Sequence, residues 1–210
     1  MSIGYNYHAH NYHSLTNMFL VTMEGVVTGI FLPFMFSLFG ARVGRDGVDY
    51  YGEIHTTSLN SYCHSLGMPF VVYGIFTGLP MFFNSNYDYH HYINIQRFLH
   101  VAYTTHYLTI DWKIGALTGM VYAIPTYYAN KKIEDTFSNV GHPNNANARD
   151  VFFYFRINTA VYGFMIAVIS LIIQEVFGHW LSGDPQSRLE AIPNAIMYAA
   201  YFSISHMFGQ

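Results

Sequence analysis

Residues 18–41, 64–83, 101–128, 157–180 and 191–209 are strongly apolar and contain only four formal charges: Glu24, Asp111, Lys113 and Glu175. That segregation constrains the fold more than any motif does. A helix crossing the hydrocarbon core of a bilayer needs about 20 apolar residues. Pro33, Pro69 and Pro80 sit inside or at the ends of these segments, tolerable where neighbouring helices satisfy the freed carbonyls. Charged residues make up 10% of the chain, against about 25% in ordinary soluble domains, so there is no charged shell for a soluble globule. The pattern predicts an all-α, polytopic helical membrane protein with about five to six membrane segments, a single membrane domain over 1–210 in a lipid bilayer.

Four of the spans read directly. Met18–Gly40 reaches the required length with one acid, Glu24, and His64–Phe83 carries no formal charge. Ile157–Trp180 is the most apolar, and Ala191–Gly209 the shortest. Tyr92–Tyr128 admits two readings: one span that buries Asp111 and Lys113, or a helical hairpin whose tip is Asp111-Trp112-Lys113. A charge at mid-membrane costs several kcal/mol, whereas an interfacial tip costs little and suits a Trp, so the hairpin is preferred. With six segments, Lys131, Lys132, Arg149 and Arg156 share one face and Arg42, Arg45, Lys113 and Arg188 the other. That balance predicts no orientation. The polar piece 129–150, containing HPNNANARD, reads as a turn-rich loop. Met1–Asn17 has no Lys or Arg and so reads as neither a secretory signal nor an Arg-rich transit peptide.

Other function classes fall away on composition. Nine basic residues and a formal charge of −3 leave no basic stripe, so no nucleic acid partner is expected. One cysteine, Cys63, allows no internal disulfide. Gly25 with Gly29, and Gly115 with Gly119, are small-xxx-small pairs that permit close helix approach. The aromatic runs FFNSNYDYHHY and VFFYF read as interfacial belts.

The 12 histidines outnumber Lys and Arg together. Most read as amphipathic interface residues: His8, His10 and His13 in a tail, His90 with His91, and His142 in a loop. His100 and His106 are six residues apart, which does not place them on one helical face, and they too read as interface residues. His55, His64 and His179 stand in richer surroundings. Residues 51–69 run YGEIHTTSLNSYCHSLGMP, and residues 174–179 run QEVFGH at the end of an apolar stretch. Glu175 and His179 are spaced i, i+4 on a helix and share a face.

Together these two blocks resemble the Mpo-like membrane family, the yeast 2-hydroxy fatty acid dioxygenase type. That family shows a Tyr-x3-His-x4-Asn-x3-His-x2-Gly-x-Pro block, here Tyr51, His55, Asn60, His64, Gly67 and Pro69, and later an apolar helix ending in Gln-x3-Gly-His, here Gln174, Gly178 and His179. The resemblance covers about 50–208, leaving 1–45 as an N-terminal extension with an added helix and 46–210 as the Mpo-like region. It implies non-haem Fe(II), dioxygen and an acyl substrate, a 2-hydroxy fatty acid shortened by one carbon in the endoplasmic reticulum. It further implies His55, His64 and His179 as metal ligands and Asn60 as a catalytic orienting group. The chain departs from the family after Gly178-His179, where Trp180-Leu181-Ser182-Gly183-Asp184-Pro185 lacks the family's Glu. A two-His-one-carboxylate iron site then draws its acid from elsewhere: Glu175 or Asp184. Because His64 opens one span and His179 closes another, the two converge only if 92–128 is a hairpin.

The missing acid and the added helix also suit a different class. The alternative is a non-catalytic accessory subunit of a large membrane complex, a respiratory or ATP synthase assembly of the mitochondrial inner membrane. Other membrane subunits would bind through Met18–Gly40, where Glu24 needs a partner.

Overall fold

The computed structural model describes residues 7–83, 89–140, 146–185 and 189–208, and the regular structure among them is entirely helical. The order is α1 (Tyr7–Ser37), α2 (Gly44–Gly52), α3 (Ser58–Gly78), α4 (Pro80–Phe83), α5 (Tyr89–Ile110), α6 (Trp112–Val140) and α7 (Ala146–Ile172). From α7 the chain continues through a π-helical turn (Ile173–Gly178) into α8 (His179–Ser182), and a 3-10 turn (Leu189–Ala191) leads into α9 (Ile192–Met207). Three helical stretches are long and apolar enough to cross a membrane: Leu15–Ser37, Ser58–Phe82 and Asp150–Ser182.

The packing centres on α3, which contacts α6, α7 and α9. Small residues set the α3–α7 approach. A Cβ on Gly74 would stand 2.4 Å from the Gly163 carbonyl oxygen, and one on Gly78 would stand 3.0 Å from the Ala160 carbonyl. Neither α3 nor α7 can carry a larger residue there without separating. The residues meet in opposite numerical order, so α3 and α7 run antiparallel. α9 meets the start of α3, where Ser65 Oγ donates to the Ser203 carbonyl at 2.9 Å and Tyr62 meets His206. Its other end is tied to the chain just after α1, where Asn194 accepts from the Arg42 N–H at 3.1 Å and donates to its carbonyl at 3.0 Å.

The stretch 92–128 folds as two helices broken at Asp111. Its carboxylate accepts from the backbone N–H of Lys113 at 2.8 Å and of Ile114 at 3.0 Å, an N-cap that satisfies the first donors of α6. Gly115 then packs on the backbone of Tyr107 and Leu108, and Gly119 on Thr104, so α6 returns antiparallel along α5. On the other side of α5, Gly25 meets Val101 and Gly29 meets Ala102, which seats α1.

Two expectations are corrected. The loop expected over 129–150 is mostly helix: α6 runs on to Val140 and α7 starts at Ala146, with 141–145 outside the described residues. Lys131, Lys132, Glu134 and Asp135 extend α6 rather than ending it, because Ala129, Ile133 and Thr136 form a buried face between them, with Ile133 packed on Met81 and Ala160. His106 is no interface residue. It is fully buried, with ring centroids 5.7 Å from Tyr107 and 5.6 Å from Tyr198. The side chains of His8, His10, His13, His90, His91 and His142 lie outside the described residues.

Candidate metal centre

Two stretches far apart in sequence, 55–64 and 175–179, bring four metal-ligating side chains together. His55 follows α2, His64 lies in the second turn of α3, and Glu175 and His179 bracket the end of the π turn. One ligand atom from each can be chosen so that all four lie within 4.8 Å of one another. The closest approaches are His55 Nε2 to His64 Nε2 at 3.0 Å, His179 Nε2 to a Glu175 oxygen at 3.5 Å, and His64 Nε2 to the other Glu175 oxygen at 3.9 Å. The three imidazoles are 1–3% exposed, while the Glu175 side chain is 31% exposed.

Each donor is aimed by a local device. Tyr51 stacks on the His55 ring at 4.3 Å, and its carbonyl accepts from His55 Nδ1–H at 2.7 Å. That bond fixes the tautomer and turns the bare Nε2 lone pair toward His64. Burial pushes the His55 ring down to about 4, so it is neutral at physiological pH and able to ligate. The Tyr51 hydroxyl stands 3.4 Å from His64 Nδ1, on the side away from the cluster. The π turn sets Glu175 beside His179, an insertion that recurs at functional sites.

Asn60 sits behind His179, with Nδ2 at 3.4 and 3.5 Å from the two ring nitrogens. The same amide donates to Asp184 at 3.0 Å. Asp184 also accepts from Thr56 Oγ1 at 2.6 Å, Thr57 Oγ1 at 2.9 Å and the Thr57 N–H at 3.1 Å. Burial alone would raise this carboxyl, but the four hydrogen bonds outweigh it and hold it well below the usual carboxylate range. Its oxygens are thus committed to the start of α3. Of the two acids open from sequence, Glu175 faces the histidines and Asp184 braces Asn60 from behind.

The donor set suits a divalent transition metal. Nitrogen and oxygen ligands at about 2.0–2.2 Å stand roughly 3–3.5 Å apart when adjacent, which is near the observed spacings. With His55 Nε2 bare, the cluster closes by donation from His64 Nε2–H to it while the Tyr51 hydroxyl donates to His64 Nδ1; a bound cation would take the place of that proton, with the carboxylate balancing part of its charge. Three imidazoles and one carboxylate suit iron, and equally other imidazole-binding metals.

A cavity of about 660 Å³ opens from this cluster, with Tyr51, His64 and Glu175 among its lining residues. Its remaining wall is almost wholly apolar and follows one face of α3 through Met68, Val72 and Ile75 to Leu79.

Sequence reasoning did not foresee the roles of Tyr51, Thr56, Thr57 or Gln174. Gln174 occupies the space a Gly67 side chain would fill, 2.4 Å from its Cβ position, and its Nε2 donates to the Ser170 carbonyl at 3.0 Å. Ser170 in turn donates to the Gly67 carbonyl at 2.9 Å. The two motif blocks are therefore halves of one contact. Each lies close to a motif His, Gly67 three after His64 and Gln174 five before His179, which was the available signal. No protein-family model, curated protein or solved structure matches the chain.

Proposed function

We propose that this chain is an integral membrane oxygenase of the Mpo-like type, using Fe(II) and dioxygen to shorten a 2-hydroxylated acyl chain by one carbon. One observation carries the reading: four buried or half-buried ligating groups converge where an apolar cavity ends. With dioxygen as the only oxidant the balance closes as R–CH(OH)–COOH + O2 → R–COOH + CO2 + H2O. Bound Fe(II) would supply adjacent coordination positions for the hydroxy acid and dioxygen. His55, His64, Glu175 and His179 would hold it. Tyr51 and Asn60 keep His64, His55 and His179 in place, and the apolar wall excludes water from the acyl chain. In this reading α1, α3, α5, α6 and α7 cross the bilayer, with the polar side chains of α5 turned inward, as Gln96 is when it donates to the Phe76 carbonyl at 2.6 Å. The endoplasmic reticulum is the compartment the resemblance implies.

Metal analysis of the detergent-purified protein tests this directly. About one iron per chain is expected, lost in His64→Ala and His179→Ala, together with oxygen-dependent release of CO2 from 2-hydroxyhexadecanoate. A preparation from native membranes that contains no transition metal sinks the reading.

One observation favours the second class, an accessory subunit of a large complex such as one in the mitochondrial inner membrane. Glu24 is exposed on α1, about 14 Å in from the start of Leu15–Ser37, and has no polar partner among the described residues. A carboxylate at that depth is costly alone and suits a basic or hydrogen-bond-donating helix of another subunit. The chain would then migrate in mild detergent with an assembly far above 24.1 kDa, and Glu24→Leu would release it.

A further inference from the structure

We propose that a surface groove between α3, α6 and α7 holds an anionic glycerophospholipid, its phosphate on Lys131 and Lys132 and one acyl tail against the helices below. The inference goes beyond the oxygenase reading and takes from it only that α6 crosses a bilayer. The groove has a volume of about 610 Å³, ordinary for a ligand site. It shares no lining residue with the cavity beside the histidines.

Its α6 wall is a single stripe. Ile124, Pro125, Tyr128, Lys131, Lys132 and Asp135 all line it, and their i, i+3, i+4 and i+7 spacings put them on one helical face. Along that face the chemistry changes in the order that a lipid molecule does. Ile124 and Pro125 are apolar, Tyr128 is the kind of ring that sits at a membrane interface, and the two lysines follow. The depth agrees. Trp112 opens α6 at one membrane surface, and some 20 residues of helix further on, about 30 Å, stand Lys131 and Lys132. That length matches the hydrocarbon core, so the lysines lie at headgroup level on the opposite surface. From Lys132 down to Ile124 is about 12 Å, within one leaflet.

The other walls hold the charge in place and leave the groove open. Lys132 Nζ stands 5.0 Å over the Tyr162 ring of α7, which meets Tyr73 of α3 edge-on at 6.5 Å. That contact keeps the ammonium over the groove instead of letting it reach out into water. Neither lysine has an ion pair among the described residues. Asp135 stands a turn beyond Lys131, further from the bilayer centre, so the two cations outweigh it. Phe70, Ile124 and Tyr128 are 60%, 61% and 57% exposed, which gives a tail free entry from the bilayer. A phosphate above hydrocarbon is the one ligand chemistry that meets both halves of this surface, and basic pockets between membrane helices take such headgroups.

Native mass spectrometry of the full chain in detergent provides the test. It compares dioleoyl phosphatidylglycerol with dioleoyl phosphatidylcholine, whose tails are identical. Each lysine near a membrane surface favours an anionic lipid about fivefold, and Asp135 offsets part of this. The first lipid bound by the unaltered protein should therefore favour phosphatidylglycerol about tenfold. Lys131→Gln/Lys132→Gln should bring the ratio to parity, Asp135→Asn should raise it severalfold, and Lys113→Gln at the other surface should leave it alone. Ile124→Trp fills the base of the groove, and should weaken both lipids severalfold while keeping their ratio. Glycerol 3-phosphate, at the concentration of the lipid, should displace neither. Parity in the unaltered protein, a preference that survives in the double variant, one lost in Lys113→Gln, or no gain in Asp135→Asn overturns the lysine site. Full binding in Ile124→Trp overturns the groove. Displacement by glycerol 3-phosphate makes it a plain anion site and overturns the lipid. A tenfold preference in protein that holds no iron keeps the lipid site and removes the oxygenase reading; iron and turnover with parity do the reverse.

Discussion

Asp184 shows how much of the site is decided by single side chains. It gathers Thr56, Thr57 and Asn60, and through Asn60 it steadies His179, yet nothing about its place in the sequence distinguishes this from ligation. Removing it strands a fully buried amide donor. Asp184→Ala should destabilise the protein by about 2 kcal/mol and lower metal affinity by about 10–100-fold, read by thermal unfolding and by metal titration. The sign of its pH effect follows from its depressed folded value. The stability it contributes is complete above the unfolded carboxyl value of about 4 and drains away as pH falls through the lower folded value. The acid side of the stability profile should therefore be flatter in Asp184→Asn. A variant whose acid limb matches the parent would show that the four hydrogen bonds do not matter. Glu175 behaves differently: its i, i+4 spacing to His179 was legible, whereas its proximity to His64 depends on a neighbouring helix.

At the scale of elements, the helices were legible from apolar runs, and their ends were legible wherever a cap is written locally. Asp111 both stops α5 and starts α6, so the hairpin could be read from one costly charge. The end of α6 was hidden because Asn130–Asp135 is mostly polar, and the buried face that keeps it helical is a sparse one, Ala129, Ile133 and Thr136 at helical spacing. The π turn was hidden as well, since its extra residue is set by packing of Gln174 against Gly67. Close approach between helices makes the sharpest prediction here. A methyl group on Gly74 meets backbone atoms of α7, which cannot swing aside, so Gly74→Ala should cost about 1–3 kcal/mol. Gly119→Ala meets only the Thr104 side chain and should cost less. The order of the two melting temperatures in the same detergent checks this, and a reversed order would place the critical contact elsewhere.

Across the whole molecule, the alternation of α3, α5, α6 and α7 puts the start of α3, the α5–α6 tip and the end of α7 at one end of the bundle. In sealed vesicles of a Cys63→Ser background, Ser58→Cys, Lys113→Cys and Ser182→Cys should react with an impermeant maleimide from the same side, and Asp135→Cys from the other. Opposite labelling of positions 58 and 113 would break this topology.

By itself the sequence determined that the chain is helical, membrane-compatible and broken at Asp111, and it singled out His55, His64 and His179. Those properties are written in local free energies: burial of apolar runs, the cost of a charge in lipid, and capping of exposed amides. Only the tertiary structure decided that Glu175 joins the histidines while Asp184 stands behind them, that His106 is buried, and that an apolar slot leads away from the cluster. These depend on which helices pack together and how closely their glycines let them approach, a balance of contacts spread across α3, α7 and α9 that no single segment encodes.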